Sequence, residues 1–262
     1  MKIVTLLENT TCRDDLQYEH GLSLYIEACG KKILFDAGAS GVFADNAAVL
    51  GIDLSQVDIA VLSHAHSDHC GGFLRFLEYN DKAPILARPE IRGSYHNASG
   101  NCIGPDPGLR YSKRICYTED TQPIAQGLTL FAAKDMKMIE PIDSAGLSYC
   151  PRDTLTLLPD DFQHEQYLLI EEDGKRVLIS GCSHKGILNI ANHFKPQVLI
   201  GGFHYMRVDP TSPRLETAAH ALLQHPTVYY TGHCTGAEQF DAMKKIMANR
   251  LQPLPTGTII EL

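Results

Sequence analysis

An apolar run, Ile59-Ala60-Val61-Leu62, delivers the chain straight into Ser63-His64-Ala65-His66-Ser67-Asp68-His69-Cys70-Gly71-Gly72. No other stretch constrains the fold as strongly. Three imidazoles and a carboxylate fall within six residues, a set of nitrogen and oxygen donors suited to Zn, Fe, Mn or Co and not needed for packing. Alternate residues of an extended segment project to the same side, so His64 and His66 can share one metal. Asp68 and His69, where the chain turns into a helix, can serve a neighbouring one. Gly71 and Gly72 permit the close backbone approach that so sharp a turn requires.

The surrounding pattern is that of an α/β chain. Short apolar runs at 2–7, 22–28 and 31–35 read as antiparallel strands, the last two joined through Cys29-Gly30. Helical spacing follows over 41–50, then the strand 58–63 and a helix opening after Gly72. Tyr167 to Glu172, the turn Asp173-Gly174 and Arg176 to Ser180 form a hairpin. Helices over 186–194, 214–224 and 237–249 alternate with strands over 198–200 and 228–230. The run 88–126 and the run 134–159 are rich in Gly, Pro, Asn and Ser with little apolar periodicity, and read as insertions that supply lids or substrate walls. With 44% hydrophobic and 21% charged residues a large buried core is available. No linker divides the halves, so the expected organisation is one domain, 1–262, of two layered sheets flanked by helices.

Two later turns repeat the logic of the first. Val177-Leu178-Ile179-Ser180-Gly181-Cys182-Ser183-His184 and Val228-Tyr229-Tyr230-Thr231-Gly232-His233-Cys234-Thr235-Gly236 each carry a strand into a small-residue turn bearing a histidine. Both can converge on the first cluster. Gly201-Gly202-Phe203-His204 lies between them. His20, His96, His164, His193, His220 and His225 lack this context and read as surface or helix-face residues, with His164 the least settled of them.

The H-x-H-x-D-H motif at 64–69 resembles that of the metallo-β-lactamase superfamily, and the likeness runs along nearly the whole chain. Leu34-Phe35-Asp36-Ala37-Gly38 is similar to the superfamily's strand and Asp-x-Gly turn, and Asp58 stands where an acidic residue usually precedes the motif strand. The resemblance implies an αββα four-layer sandwich with two mixed sheets flanked by helices. It also implies that Asp36 and Asp58 orient the ligand loops from behind, although turn or helix capping accounts for either residue equally well. The Gly-Cys-Ser-His and Thr-Gly-His-Cys-Thr-Gly turns resemble those of a subgroup described as metal-dependent hydrolases, some of them named dihydropterin ribofuranosylaminobenzene phosphate synthases. By that resemblance His184 and His233 are ligands, and His204 lines the pocket or reaches a metal. Many superfamily members bridge their metals with an aspartate after the first of these glycines. Here Cys182 takes that place, leaving the bridging ligand open, while His164 would fill a third-histidine place that otherwise looks vacant.

The implied chemistry is hydrolysis by water acidified between two divalent cations, zinc foremost, with Asp68 as ligand and proton acceptor. His204, Ser183 and Lys185 are candidates for stabilising charge on substrate or leaving group. Neither a Gly-x-Ser-x-Gly elbow nor a phosphate-cradling P-loop is found. The leading expectation is a metal-dependent hydrolase, with a phosphoester as the candidate substrate; its rivals are a pterin-coupling transferase and a non-catalytic metal sensor. A formal charge of −8 argues against nucleic acid as partner. A small-molecule substrate is expected, a homo-oligomer is open, and no run is apolar enough for a membrane span. The eight cysteines form no CxxC pair and suit reduced thiols in the cytoplasm. Cys70, Cys182 and Cys234 lie within two residues of the singled-out histidines, as site walls or as small buried hydrophobes.

Overall fold

The computed structural model describes residues 1–151, 154 and 156–262. Its strands assemble into two sheets of seven and a small sheet of three. In the first, Ile259–Glu261, Lys2–Leu7, Ser23–Ala28, Lys31–Phe35, Ile59–Val61, Ile85–Ala87 and Ile115–Tyr117 lie side by side in that order. In the second the order is Leu251–Pro253, Val228–Thr231, Val198–Ile200, Lys175–Ile179, Tyr167–Glu172, Leu128–Phe131 and Thr121–Ala125. Both sheets are mixed. Pairing is parallel from Lys31–Phe35 to the Ile115–Tyr117 edge in one, and from Lys175–Ile179 to the Leu251–Pro253 edge in the other.

Strand side chains alternate between two cores, so these strands are apolar at nearly every position. Ile33, Phe35, Ile59 and Val61 of the first sheet meet Val177, Ile179, Val198 and Ile200 of the second in a core between the sheets. Leu34, Ala60 and Leu62 point the other way, onto Phe43 of the helix Val42–Val49 and onto Phe73 and Phe76 of the helix Phe73–Tyr79. On the far side Leu178 and Leu199 pack with the helices Ile187–Phe194, Pro213–Leu222 and Ala237–Met247 through Ile190, Leu215 and Met243. Helix, sheet, sheet, helix is the expected four-layer order.

The run 88–126 is only in part the expected insertion. Ile115–Tyr117 is the edge of the first sheet and Thr121–Ala125 the edge of the second. Edge strands are half exposed and tolerate a residue such as Pro123, so they leave no apolar periodicity to read. The remainder holds Ser94–His96, which pairs with Ser148–Cys150 from the second expected insertion, itself paired to Leu158–Pro159. Residues 152, 153 and 155 of that second run lie outside the described residues. The short strands Leu128–Phe131, Leu251–Pro253 and Ile259–Glu261 carry no sequence signal of comparable length. Among the described residues no helix is long and apolar enough to cross a membrane.

The parallel strands of both sheets end on the same edge of the sandwich. Asp36, the 63–69 loop, Ser180–His184, Gly201–His204 and Thr231–His233 all follow such ends, the place where open α/β sheets gather their ligands.

Candidate metal centre

The first loop is held by backbone contact at its two glycines. A Cβ on Gly71 would stand 2.1 Å from the Ala39 carbonyl oxygen, and one on Gly72 would stand 2.1 Å from that of Ala37. With that contact the one-turn helix Ser67–Cys70 turns Asp68 and His69 toward the second sheet. Four non-glycine residues around the loop sit in the left-handed region: Asp36 at φ 58°, Ser183 at 58°, His204 at 54° and His233 at 51°. Such conformations are uncommon and cluster where side chains must be aimed.

The histidines expected to converge do so, in two adjoining groups. His64, His66 and His184 form one; Asp68, His69 and His233 form the other, together with Cys182. The rings of His64 and His69 join the two at 4.1 Å between centroids. His64 Nε2 and His184 Nε2 are 3.3 Å apart. His69 Nε2 and His233 Nε2 are 3.1 Å apart, and His233 Nε2 lies 3.2 Å from Asp68 Oδ2. Two nitrogens on corners of a tetrahedral zinc site are separated by about 3.4 Å, so the donors already stand at ligand-to-ligand spacing. Cys182 Sγ, 3.1 Å from His69 Nε2, adds a soft donor to the second group. In the first group His66 Nε2 is buried without a hydrogen-bond partner, a costly arrangement that a cation's ligand sphere resolves.

The ring orientations are fixed from behind. His64 Nδ1 donates to Ser63 Oγ at 2.8 Å, and Ser63 Oγ donates to Asp36 Oδ2 at 2.6 Å. His69 Nδ1 donates to the same oxygen at 2.6 Å, while Asp36 Oδ1 accepts from Ser63 N at 2.7 Å. His233 Nδ1 donates to Asn9 Oδ1 at 2.9 Å, and Glu8 accepts from the His233 backbone N–H. In all three rings the Nδ1 proton is engaged outward and the Nε2 lone pair turns inward, as metal-ligating histidines require. Glu165 holds His184 in place by accepting from its backbone N–H at 2.8 Å.

Burial, reinforced by neighbouring imidazoles, holds His64 and His184 well below the usual histidine range. Burial likewise lowers His66 and takes His204 and His233 down to about 4. His69 goes the other way, because Asp36 and Asp68 outweigh its burial. Asp68 stays ionised against its desolvation, held well below the carboxylate range by His69, His20 and His233. His69 apart, these are neutral imidazoles beside an ionised carboxylate, the protonation states that ligation of a cation needs.

The other expected site residues fare differently. Asp36 stands behind the ligand loops, but Asp58 does not: its carboxylate accepts from Lys32 N at 2.9 Å, where Ile59–Val61 begins, at the end of the strand away from the histidines. Lys185 is also displaced from its expected role. It is buried, and its Nζ donates to the Ala132 carbonyl at 2.7 Å, so it ties the second sheet to this loop rather than meeting substrate. The Ser183 hydroxyl is turned to Ser180 Oγ at 2.8 Å. His204 joins neither donor group, but its ring lies 4.2 Å from that of His184, and it lines the cavity over the site. That cavity, of about 270 Å³, is floored by His66, Asp68, Cys182 and His184 and walled by Asn97, Ile103, Ala145 and Leu147 of the two excursions.

Sequence reasoning missed several participants. His164, left as a surface or helix-face residue, is buried; its Nδ1 accepts from Ala65 N at 2.9 Å and its Nε2 donates to Asp160 Oδ2 at 3.2 Å. With both nitrogens engaged it braces the His64–His66 backbone and is not free as a ligand. His20 is exposed, as expected, and in addition reaches Asp68 Oδ2 at 3.4 Å at the cavity mouth. Glu8, Asn9 and Glu165 carried no local signal. Cys182, read as a site wall or a small buried hydrophobe, stands among the donors.

Residues 18–233 match the Metallo-beta-lactamase superfamily, and the chain belongs to that superfamily. Within it, the chain is 26% identical over its full length, and over 96% of the relative, to the Methanocaldococcus jannaschii protein named 7,8-dihydropterin-6-methyl-4-(beta-D-ribofuranosyl)-aminobenzene-5'-phosphate synthase. The crystal structure of a metal-dependent hydrolase of the beta-lactamase superfamily superposes with a TM-score of 0.81 at 25% identity, covering 100% of this chain and 99% of that one. Zn(2+)-bound PqqB from Methylobacterium extorquens shares the fold, at TM-score 0.60 and 14% identity with both chains fully covered.

Proposed function

We propose that the chain is a hydrolase that holds two divalent cations, zinc foremost, one on His64, His66 and His184 and one on Asp68, His69, Cys182 and His233. Its substrate in this reading is a small molecule with a phosphoester bond. One observation carries the reading: two adjoining sets of donors at ligand spacing, all buried but Asp68, on the floor of a cavity. Cations held there supply Lewis acidity that polarises a phosphoryl oxygen and acidifies water. The chain's own residues do the rest. Asp68, the partly exposed donor, faces the cavity and accepts the proton released there, with His20 beside it leading to solvent. His204 leans over His184 from the wall and orients the bound ester. The excursion residues Ile103 and Leu147 keep bulk water off one side.

The test is metal analysis of the purified protein with turnover on phosphodiesters, phosphomonoesters and lactones. Two ions per chain and turnover abolished by Asp68→Ala support the reading; bound ions with no turnover on the whole panel refute it and leave a sensor. The full-length relative named as a synthase favours a second reading, transfer of a pterin onto an aminobenzene ribofuranose phosphate with release of diphosphate. Diphosphate formed only when both co-substrates are present would select it over hydrolysis.

A further inference from the structure

Asp68 Oδ2 has two imidazoles outside its own loop at nearly equal range. His233 Nε2 lies 3.2 Å away and His20 Nε2 3.4 Å away, and the centroids of the two rings are 4.7 Å apart. By distance alone either ring could join Asp68 as a donor to a cation. What separates them is which nitrogen carries the proton, and one side chain sets that for both. The Asn9 amide is engaged at both ends. Its Oδ1 accepts from the Gly21 backbone N–H at 3.2 Å, and its Nδ2 donates to the His233 backbone carbonyl at 3.4 Å. A backbone N–H can only donate and a carbonyl can only accept, so these two contacts decide which end of the amide is oxygen. The remaining capacity of each end goes to a ring. The oxygen accepts from His233 Nδ1 at 2.9 Å, which leaves the lone pair of His233 on Nε2. The nitrogen donates to His20 Nδ1 at 3.1 Å, which puts the proton of the neutral His20 ring on Nε2, facing Asp68.

We propose that Asn9 is a positioning residue that makes His233 a metal ligand and keeps His20 from becoming one, by setting opposite tautomers on the two rings. The assignment rests on the two-cation hydrolase reading for the ion itself. A protonated ring nitrogen has no lone pair to give, so a cation beside Asp68 Oδ2 is drawn to the His233 side, where His69 and Cys182 also stand. On the other side the His20 N–H steadies the ionised carboxylate from the cavity mouth. With no lone pair toward Asp68, the neutral ring does not take up the proton that Asp68 accepts, and that proton leaves past the ring rather than through it. The second ion is thereby confined to the four donors of its own group, although a further imidazole stands within reach.

The tautomers are read from long-range proton–nitrogen correlation spectra of the nitrogen-15-labelled, metal-free full chain at a fixed pH above the histidine range, with the two rings assigned through His20→Gln and His233→Gln. A proton on Nε2 of His20 and on Nδ1 of His233 is expected. Asn9→Asp should move the His20 proton to Nδ1, because an ionised carboxylate only accepts, and should leave His233 unchanged. Cobalt binding then reads the consequence. Affinity should fall about 10- to 100-fold in Asn9→Leu, which supports neither ring, and recover in Asn9→Asp, a rescue that mere space-filling would not give. In Asn9→Asp the visible cobalt bands should weaken as His20 adds a ligand, and His20→Gln in that background should restore them. His20→Gln alone should leave the wild-type bands unchanged. A His20 proton on Nδ1 in the wild type, or wild-type bands altered by His20→Gln, overturns the proposal even if esters are turned over. Tautomers and bands as expected, with no turnover on any ester, uphold it and overturn the hydrolase reading alone.

Discussion

Both oxygens of Asp36 are engaged, by Ser63 N, Ser63 Oγ and His69 Nδ1, so one buried carboxylate orients an imidazole in each donor group. Asp36→Asn keeps the shape but replaces an acceptor with a donor opposite His69. We expect metal affinity to fall about 10- to 100-fold, read by titration against a chelator, with the fold intact by circular dichroism. His164→Ala should behave differently, because it strips the Ala65 N–H of its acceptor inside the protein. The expected cost is about 1–3 kcal/mol of stability, measured by denaturant unfolding of the metal-free chain. The six candidate donors on histidine and aspartate were legible because donors that packing does not need crowd at strand ends. Cys182 was legible as a site wall or a small buried thiol but not as a donor, since nothing local separates a donor cysteine from a core one. Glu8, Asn9 and Glu165 act from distant positions in the chain, and only the fold brings them in.

At the level of elements, the strand-end turns were readable because each couples an apolar run to small residues and a histidine. The tight seat of the first turn follows from Gly71 and Gly72. Gly72→Ala would drive a methyl into the Ala37 carbonyl and also to within 2.8 Å of Phe43 Cε1. Overpacking of this kind costs roughly 1–3 kcal/mol. The same shift should displace Asp68 and His69, so metal content should fall along with Tm. Lys185 gives the opposite test, since its placement at a strand-to-helix turn suggested substrate contact and its burial denies it. Lys185→Met should lower stability while leaving KM unchanged on any substrate found. The edge strands at 115–117 and 121–125 were hidden because one face of an edge meets water, and their pairing is decided by neighbours far along the chain.

For the molecule as a whole, the centre couples stability to pH. His64, His66, His184, His204 and His233 are held below the histidine value by burial, while the unfolded chain titrates near 6.5. Between 6.5 and about 4 the unfolded state therefore binds more protons, and stability present above that window is lost as the pH falls through it. His69, raised by its carboxylates despite burial, works in the other direction but is one ring against five. The metal-free chain should lose several degrees of Tm between pH 7 and 5, and the loaded chain should release its ions over the same range. The most direct test of the account is metal stoichiometry by elemental mass spectrometry on the wild type and two single variants. Two ions per chain are expected in the wild type, with about one remaining in each of His184→Ala and His233→Ala. A wild-type chain that binds none from excess zinc, or variants that keep both ions, would contradict it.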